Sequence, residues 1–190
     1  MFALILEFLR VMTQYVAFLQ ILNASGGTTL KSEQLKDLFE KMGMHNVSPF
    51  ATGGNVIFET GETEEKILRK QIETSLANTL GFKVSAILRQ YDELKTVIDN
   101  NPFDNIRSGE ESKWYITFLS DFPSSDAKGS LGVYSNDAEY ARIVMREVYI
   151  YAKSYNSQTH FSNAFIERKL GLSATTRNWL TVKKMAELHP

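Results

Sequence analysis

The side chains best suited to binding chemistry lie close together near the end of the chain. The run Ala174-Thr-Thr-Arg-Asn178 combines hydroxyl groups, a guanidinium and an amide. Hydroxyl groups donate hydrogen bonds and a guanidinium supplies positive charge, which is what an anion such as phosphate requires. The sequence therefore predicts an anion-binding cluster made of Thr175, Thr176, Arg177 and Asn178.

Two glycine-containing loops are the second candidate for anion binding. Asn23-Ala-Ser-Gly-Gly27 lies between the first predicted strand and the first predicted helix, and Thr52-Gly-Gly-Asn55 precedes another strand. Exposed amides beside a helix N-terminus bind anions, although neither loop contains a dinucleotide-binding or Walker pattern. The alternative, which we favour, is that the glycines only turn the chain. The candidate residues are Asn23, Gly26, Gly27, Gly53, Gly54 and Asn55.

The C-terminal region also suggests a nucleic-acid interface. Six basic residues and one acidic residue, Glu167, occur between Lys153 and Lys184. We predict helices over Asn163 to Leu170 and Ala174 to Leu188, in an order that resembles a helix-turn-helix. A docked final helix with a solvated basic face is the alternative. The candidate contacts to nucleic acid are Arg168, Lys169, Arg177, Thr181 and Lys184.

Composition excludes several kinds of chemistry. The chain contains no cysteine, which rules out disulfides, thiolate nucleophiles and zinc–thiolate sites. Its three histidines, His45, His160 and His189, are far apart and lack a second ligand type at metal-site spacing. No serine lies in a glycine elbow. We therefore predict no metal and no cofactor, and we favour a non-catalytic protein, although carboxylates from distant segments can still meet in space.

Length and charge are those of an ordinary globular protein. The 190 residues are 43% hydrophobic and 23% charged, with a net charge of −1. This composition allows one domain or two small ones, and it provides no global field toward nucleic acid or a membrane. The lack of cysteine is compatible with a reducing cytosol. We predict a cytoplasmic protein without membrane association.

The first eleven residues form an apolar run that Glu7 and Arg10 interrupt. No basic segment precedes the run, and no small-residue cleavage site ends it, so it does not resemble a signal peptide. Extended through Leu22 the run has spanning length, but its charges argue against a membrane helix. We interpret residues 1–11 as an N-terminal extension and Met12 as the functional start.

Hydrophobic periodicity predicts an α+β fold with two small αβ subdomains. In the first, residues 12–90, strands are predicted at 15–22, 47–50, 55–60 and 82–88, with helices at 32–42 and 63–80. This βαββαβ order is the split βαβ, ferredoxin-like arrangement. In the second, residues 91–190, a helix near 91–99 precedes strands near 113–119, 139–145 and 147–152 and the two C-terminal helices.

The sequence resembles a known family. The resemblance rests on Met12-x-x-Tyr-Val-Ala-Phe-Leu19, on Ser162-Asn-Ala-Phe-Ile-Glu-Arg-Lys-Leu-Gly171 and on Ala174-Thr-Thr-Arg-Asn-Trp179. These segments are similar to the uncharacterised bacterial family catalogued as domain of unknown function 1697, and the similarity covers nearly all of residues 12–188. It implies an α+β fold with two subdomains of ferredoxin-like character. It implies no activity, because none is established for the family.

The chain departs from the family pattern at two places. After the first strand the family tends to read Arg-Gly-Ile-Asn-Val-Gly-Gly, whereas this chain reads Gln20-Ile-Leu-Asn-Ala-Ser-Gly26. The missing arginine and glycine weaken an anion-binding role for that loop. Before the C-terminal helices the family often reads Ser-Lys-Leu, whereas this chain reads Thr159-His-Phe161. His160 would have to replace that lysine, with a charge that changes near neutral pH.

These observations lead to one hypothesis and two alternatives. We predict a binding module with a small anion site, formed where Asn23–Gly27, Gly53–Asn55 and Thr175–Trp179 converge. One alternative is a nucleic-acid-binding protein that uses the basic C-terminal helices. The other is an enzyme that acts on a small phosphorylated metabolite, for which the sequence offers no support beyond the anion site itself.

Overall fold

The computed structural model describes residues 12–21, 31–51, 54–103, 112–127, 129–153 and 159–188. Within these ranges it contains eight β-strands and five α-helices. The chain divides into two compact units, Met1–Tyr91 and Asp92–Pro190, each of which has its own antiparallel sheet. The predicted α+β class with two small αβ units is confirmed. The proposed extension at residues 1–11 lies outside the described residues.

The first unit has the predicted βαββαβ order. Its sheet has the strand order β2-β3-β1-β4, and every neighbouring pair is antiparallel, as in a ferredoxin-like split βαβ. The apolar run of the first strand is central in this sheet and buried, as expected for a strand with neighbours on both sides. The elements are β1 (Thr13–Ile21), α1 (Ser32–Lys41), β2 (His45–Phe50), β3 (Asn55–Thr60), α2 (Glu65–Leu80) and β4 (Val84–Gln90).

The helices of the first unit are held by apolar stripes at helical spacing. Leu35 and Phe39 of α1, and Leu68, Ile72 and Leu76 of α2, are buried. They pack into one core with β-strand residues that alternate along the sheet, among them Tyr15, Ala17 and Leu19. Alternating strand residues share a face, so both helices cover the same side of the sheet. α2 ends at Gly81, whose left-handed φ of 76° suits a glycine.

The second unit is built on a sheet with the order β6-β7-β5-β8, again antiparallel throughout. Its elements are α3 (Glu93–Asp99), β5 (Lys113–Leu119), a 3₁₀ turn (Gly132–Tyr134), β6 (Glu139–Val144), β7 (Glu147–Ala152), α4 (Asn163–Leu170), β8 (Ala174–Asn178) and α5 (Trp179–Ala186).

The two sheets share one topology. In each, the first and third strands form the central pair, the second lies outside the third, and the fourth lies outside the first. The connection before the fourth strand is helical in both units. The connection between the first two strands is α1 in the first unit, whereas in the second unit its described part contains the 3₁₀ turn. The ferredoxin-like strand order is therefore present twice.

Both faces of the second sheet carry helices. On one face, Ile166 of α4 packs with Leu119, Val148 and Ile150. On the other face, the Tyr149 hydroxyl donates to the carbonyl oxygen of Val97 in α3 at 2.7 Å. α5 packs against α3 and β5, so it lies on the same side as α3.

The C-terminal helix pair is the main error of the sequence prediction. Residues 174–178 form strand β8, which pairs with β5, and the last helix begins only at Trp179. A strand therefore separates α4 from α5, and the predicted helix-turn-helix is wrong. The carboxylate of Glu167 accepts the amide of Ala174 at 2.9 Å, which helps the chain leave α4 and enter the strand.

Candidate functional site

Arg177 and Thr175 lie together on β8. Residues two apart in a strand share a face, and Ile116 and Phe118 of β5 lie opposite them in the pairing. The guanidinium of Arg177 donates from Nη1 to the Thr175 hydroxyl at 2.7 Å and to the Thr176 carbonyl oxygen at 2.9 Å. Two of the four predicted cluster residues are therefore in contact through their side chains.

The charge of Arg177 is held in a largely buried position. Burial disfavours the charged guanidinium and lowers its pKa from the ordinary value to about 10. The group nevertheless stays protonated at neutral pH. A cation removed from water interacts with a nearby anion more strongly than an exposed one, because the effective dielectric is lower.

Thr176 belongs to a different polar cluster, on the opposite face of β8. Its hydroxyl donates to the side-chain carbonyl oxygen of Asn163 at 2.6 Å and lies 2.7 Å from the buried hydroxyl of Thr117. An amide oxygen only accepts, so the proton of Thr176 points to Asn163 and the Thr117 hydroxyl donates to Thr176. This chain ties β5, β8 and the start of α4 together.

Asn178 has a structural role at the boundary between β8 and α5. Its side-chain oxygen accepts the amide of Leu180 at 2.8 Å, which makes it the N-cap of α5. The four predicted residues are therefore distributed over three places: Thr175 and Arg177 on one face, Thr176 on the other, and Asn178 at the helix start.

Of the glycine loops, the structure describes Gly54 and Asn55. Gly54 has a φ of 78°, and its carbonyl oxygen accepts the amide of Leu19 at 2.7 Å. The buried side chain of Asn55 donates to the carbonyl oxygen of Phe50 at 3.1 Å, across the β2–β3 turn. Gly54 and Asn55 therefore have structural roles where the β2–β3 turn leads into β3. The other predicted loop residues, Asn23, Gly26, Gly27 and Gly53, lie outside the described residues, and the predicted convergence of the loops with β8 stays a prediction.

The basic residues predicted to contact nucleic acid do not share one helical face. Arg168 and Lys169 lie in the last turn of α4, where the helix dipole favours cations, and both contact the ring of Phe165. Arg177 is in a strand. Thr181 and Lys184 are on α5, where Lys184 is exposed. The corrected helix boundary explains this separation.

A buried carboxylate lies at the start of β6. The Glu139 side chain is 2% exposed, and its Oε2 accepts the amide of His160 at 3.0 Å and lies 3.2 Å from Nδ1 of the same residue. The Thr159 hydroxyl is 3.5 Å from that oxygen. In the described part of the chain, Oε1 has no hydrogen-bond partner. Two segments thus form an acid–imidazole pair.

Sequence reasoning did not select Glu139. The signal was present, since Glu139 falls in phase with Ala141 and Ile143, which face the core of the second unit. A carboxylate in the period of core residues indicates a buried charge that needs a partner. The sequence points to His160 only as the replacement of a family lysine, and it does not predict the partner of the imidazole.

Described residues line a small pocket in each unit. The first-unit pocket, of about 170 Å³, lies between α1 and α2 beside Leu38 and Ser75. The second-unit pocket, of about 90 Å³, is lined by residues that include Glu93, Phe122 and Arg146. Pockets for drug-sized ligands measure roughly 300–1,000 Å³. Neither of these two would enclose a nucleotide.

The described ranges also bear on metal binding and on membrane spanning. There, no group of three or more histidine, aspartate or glutamate side chains is arranged to hold a metal ion. No helix in those ranges has both the length and the apolar character needed to cross a bilayer.

Comparison with protein families identifies the chain. A model described as "Protein of unknown function (DUF1697)" matches residues 12–149. The chain belongs to this family. The family name states no activity, and no curated protein matches the chain. The resemblance that the sequence suggested is confirmed.

One solved structure has a similar fold. The chain is similar to the conserved bacterial protein SP0830 from Streptococcus pneumoniae, with a TM-score of 0.66 and 17% identity. The match covers 93% of this chain and 98% of that one. At this identity the likeness shows the fold alone.

Proposed function

We propose that this protein is a non-catalytic module that binds a small anion through Arg177 of the second unit, with inorganic phosphate as the simplest example. The observation that supports the proposal is the largely buried guanidinium beside the Thr175 hydroxyl. Arginine presents its donors in a planar fork that matches phosphate and carboxylate oxygens.

The proposal uses fewer residues than the sequence suggested. Thr175 is retained because its hydroxyl contacts the guanidinium, and it holds Nη1 in place. Thr176 and Asn178 are assigned structural roles, since their side chains bond to α4 and α5. The loops Asn23–Gly27 and Gly53–Asn55 remain candidates for further amide donors. The lack of cysteine is compatible with the cytoplasmic location that we propose.

A thermal-shift screen of the Met12–Pro190 protein tests the proposal. The panel contains sulfate, inorganic phosphate, sugar phosphates, nucleotides, and short DNA and RNA duplexes at low and high salt. A ligand at 100 times its Kd stabilises a folded protein by about 2.7 kcal/mol, which gives a clear shift in Tm. We expect a small anion to raise the Tm of the wild-type protein.

Matched variants then locate the site. Arg177→Gln and Thr175→Val should reduce the shift, whereas Thr176→Val, on the opposite face of the same strand, should lower the basal Tm and leave the ligand shift intact. Arg168→Ala controls for the general loss of a cation. A shift that survives in Arg177→Gln would place the anion elsewhere and end the proposal.

The same screen separates the alternatives. Nucleic-acid binding predicts a shift with the duplexes that disappears with salt, because counterions compete for the phosphates. If the protein is an enzyme, one phosphorylated metabolite of the panel should be consumed during the measurement. No shift with any member of the panel would contradict small-anion binding and leave a protein partner as the remaining hypothesis.

A further inference from the structure

The Glu139–His160 pair fixes which imidazole nitrogen faces outward. An ionised carboxylate only accepts hydrogen bonds, so the contact of 3.2 Å from Oε2 places the ring proton on Nδ1. In a neutral imidazole the other nitrogen, Nε2, is then the basic one. The imidazole is 76% exposed while its carboxylate partner is 2% exposed. The nucleophilic Nε2 is thus exposed at the surface, and the buried carboxylate of Glu139 orients the ring.

The carboxylate is also short of positive partners. Within the described ranges, Oε1 of Glu139 has no hydrogen-bond partner, and Oε2 receives its contacts from Thr159 and His160. A buried carboxylate without full compensation gains free energy when a positive charge develops next to it. Any reaction at Nε2 that makes the ring cationic therefore creates charge where Glu139 stabilises it.

We propose that Nε2 of His160 is a phosphoryl-acceptor site for a small acyl phosphate or phosphoramidate. The Nε2 lone pair attacks phosphorus, and a P–N bond forms as the bond from phosphorus to the acyl oxygen or amide nitrogen breaks. The leaving group departs with the bonding electron pair, as a carboxylate from an acyl phosphate or as ammonia from a phosphoramidate whose nitrogen is already protonated. The Nδ1 proton stays on the ring, and the positive charge that the ring acquires faces Glu139.

The position of His160 before α4 suits an attached phosphoryl group. Ser162 is the N-cap and the helix begins at Asn163. Helix N-termini carry a partial positive charge and favour nearby anions. This feature supports the site, but the proposal stands on the carboxylate-oriented nitrogen. It is independent of Arg177 and of the proposed anion-binding function.

His45 provides an internal control. It is an exposed histidine of β2 and lies opposite Glu59 in the β2–β3 pairing. In the described structure, Glu59 accepts a hydrogen bond from the side chain of Asn46 at 2.8 Å, and no bond to the His45 ring is found. His45 therefore tests whether a nearby carboxylate is enough to speed phosphorylation, or whether the carboxylate must bond to Nδ1 of the ring.

The experiment is a timed reaction of the full chain with potassium phosphoramidate and, separately, with acetyl phosphate. Acid-labile phosphorylation at each histidine is quantified by mass spectrometry of peptides prepared at alkaline pH, with ³¹P NMR of the intact protein. His160 should react at least about tenfold faster than His45, by analogy with the effect of carboxylates that orient other histidines. Glu139→Gln should lower the His160 rate by a similar factor.

A second measurement keeps the result interpretable if Glu139→Gln fails to fold. In concentrated urea the His160 and His45 rates of the wild-type protein should become equal, because the carboxylate no longer holds the ring. Equal rates in the native protein would overturn the proposal. So would a rate difference that persists in urea, or a folded Glu139→Gln protein that reacts as fast as wild type.

Discussion

Among the described glycines, Gly54 is the one at which backbone and surroundings together most limit the side chain. Its φ is 78°, and an added Cβ would lie 3.0 Å from Cβ and 3.2 Å from the carbonyl oxygen of Leu19. A left-handed non-glycine residue costs about 1–2 kcal/mol, and an unrelieved clash adds roughly 1–3 kcal/mol. We expect Gly54→Ala to lower the free energy of unfolding by about 2–5 kcal/mol in urea titrations.

Gly81 is the matched control for this prediction. Its φ of 76° is nearly the same, yet an added Cβ would meet no atom within 4 Å. Gly81→Ala should therefore show only the backbone cost of about 1–2 kcal/mol. If both variants lose the same stability, the close approach of Gly54 to Leu19 is not important.

If Arg177 holds the anion, its charge sets how anion binding responds to pH. Burial lowers the pKa of Arg177 in the folded protein to about 10, below its value in the unfolded chain, so folding disfavours the charged form. Between these values the unfolded chain binds more protons, and the contribution of this group to stability rises with pH. Below about pH 10 both states are protonated, and the group contributes no pH dependence.

The lowered pKa of Arg177 predicts how sulfate affinity depends on pH. Sulfate does not titrate in this range, so its Kd should stay constant between about pH 6.5 and 8.5 and increase only as Arg177 deprotonates above the pKa of about 10. Isothermal titration calorimetry across the pH range measures this. A loss of affinity through pH 7 would indicate that a histidine, and not Arg177, supplies the charge.

At the scale of elements, Asn178 decides where α5 begins. Its side chain accepts the amide of Leu180, and removal of an N-cap side chain costs about 0.5–2 kcal/mol. Asn178→Ala should lower the unfolding free energy by this amount, as measured by thermal or urea denaturation. Asn178→Asp keeps an acceptor and should retain most of the stability, so equal losses for the two variants would argue against the cap.

Long local signals made most elements predictable. The strands Asn55–Thr60 and Lys113–Leu119 were predicted with their observed bounds, because both are runs rich in β-branched and aromatic residues. The helix Asn163–Leu170 was also predicted, with Ser162 before it and Gly171 after it. The sheet order of the first unit followed from the βαββαβ pattern.

β8 could not be predicted by the same means. Its five residues are short and polar, and they precede a real helix, so local periodicity extended the helix backward. The strand exists because its backbone pairs with β5, which precedes it by more than fifty positions. Non-local pairing of this kind leaves little trace in a five-residue sequence.

The candidate site was only partly accessible to sequence reasoning. The hydroxyl–arginine cluster drew attention to β8, but strand geometry sends Thr175 and Thr176 to opposite faces, which a helical interpretation cannot show. The Glu139–His160 contact joins residues 21 positions apart. A single sequence does not reveal such spatial pairs.

At the scale of the whole molecule, each unit has a sheet and buried core of its own. In the second unit the core includes Leu119, Val148, Ile150 and Ile166. We expect a fragment of residues 92–190 to fold alone, with a single cooperative urea transition and an m-value of about 1–3 kcal/mol/M. Circular dichroism and NMR dispersion measure this. A disordered fragment would show that the unit needs the rest of the chain.

The central claim is that Arg177 holds an anion, and NMR tests it most directly. The Nε–Hε resonance of Arg177, assigned with Arg177→Lys, is followed while inorganic phosphate is added to the full chain. We predict a saturable shift of this resonance, with little change at the exposed Arg168. No shift at Arg177, or a parallel drift of all arginine resonances, would contradict the account.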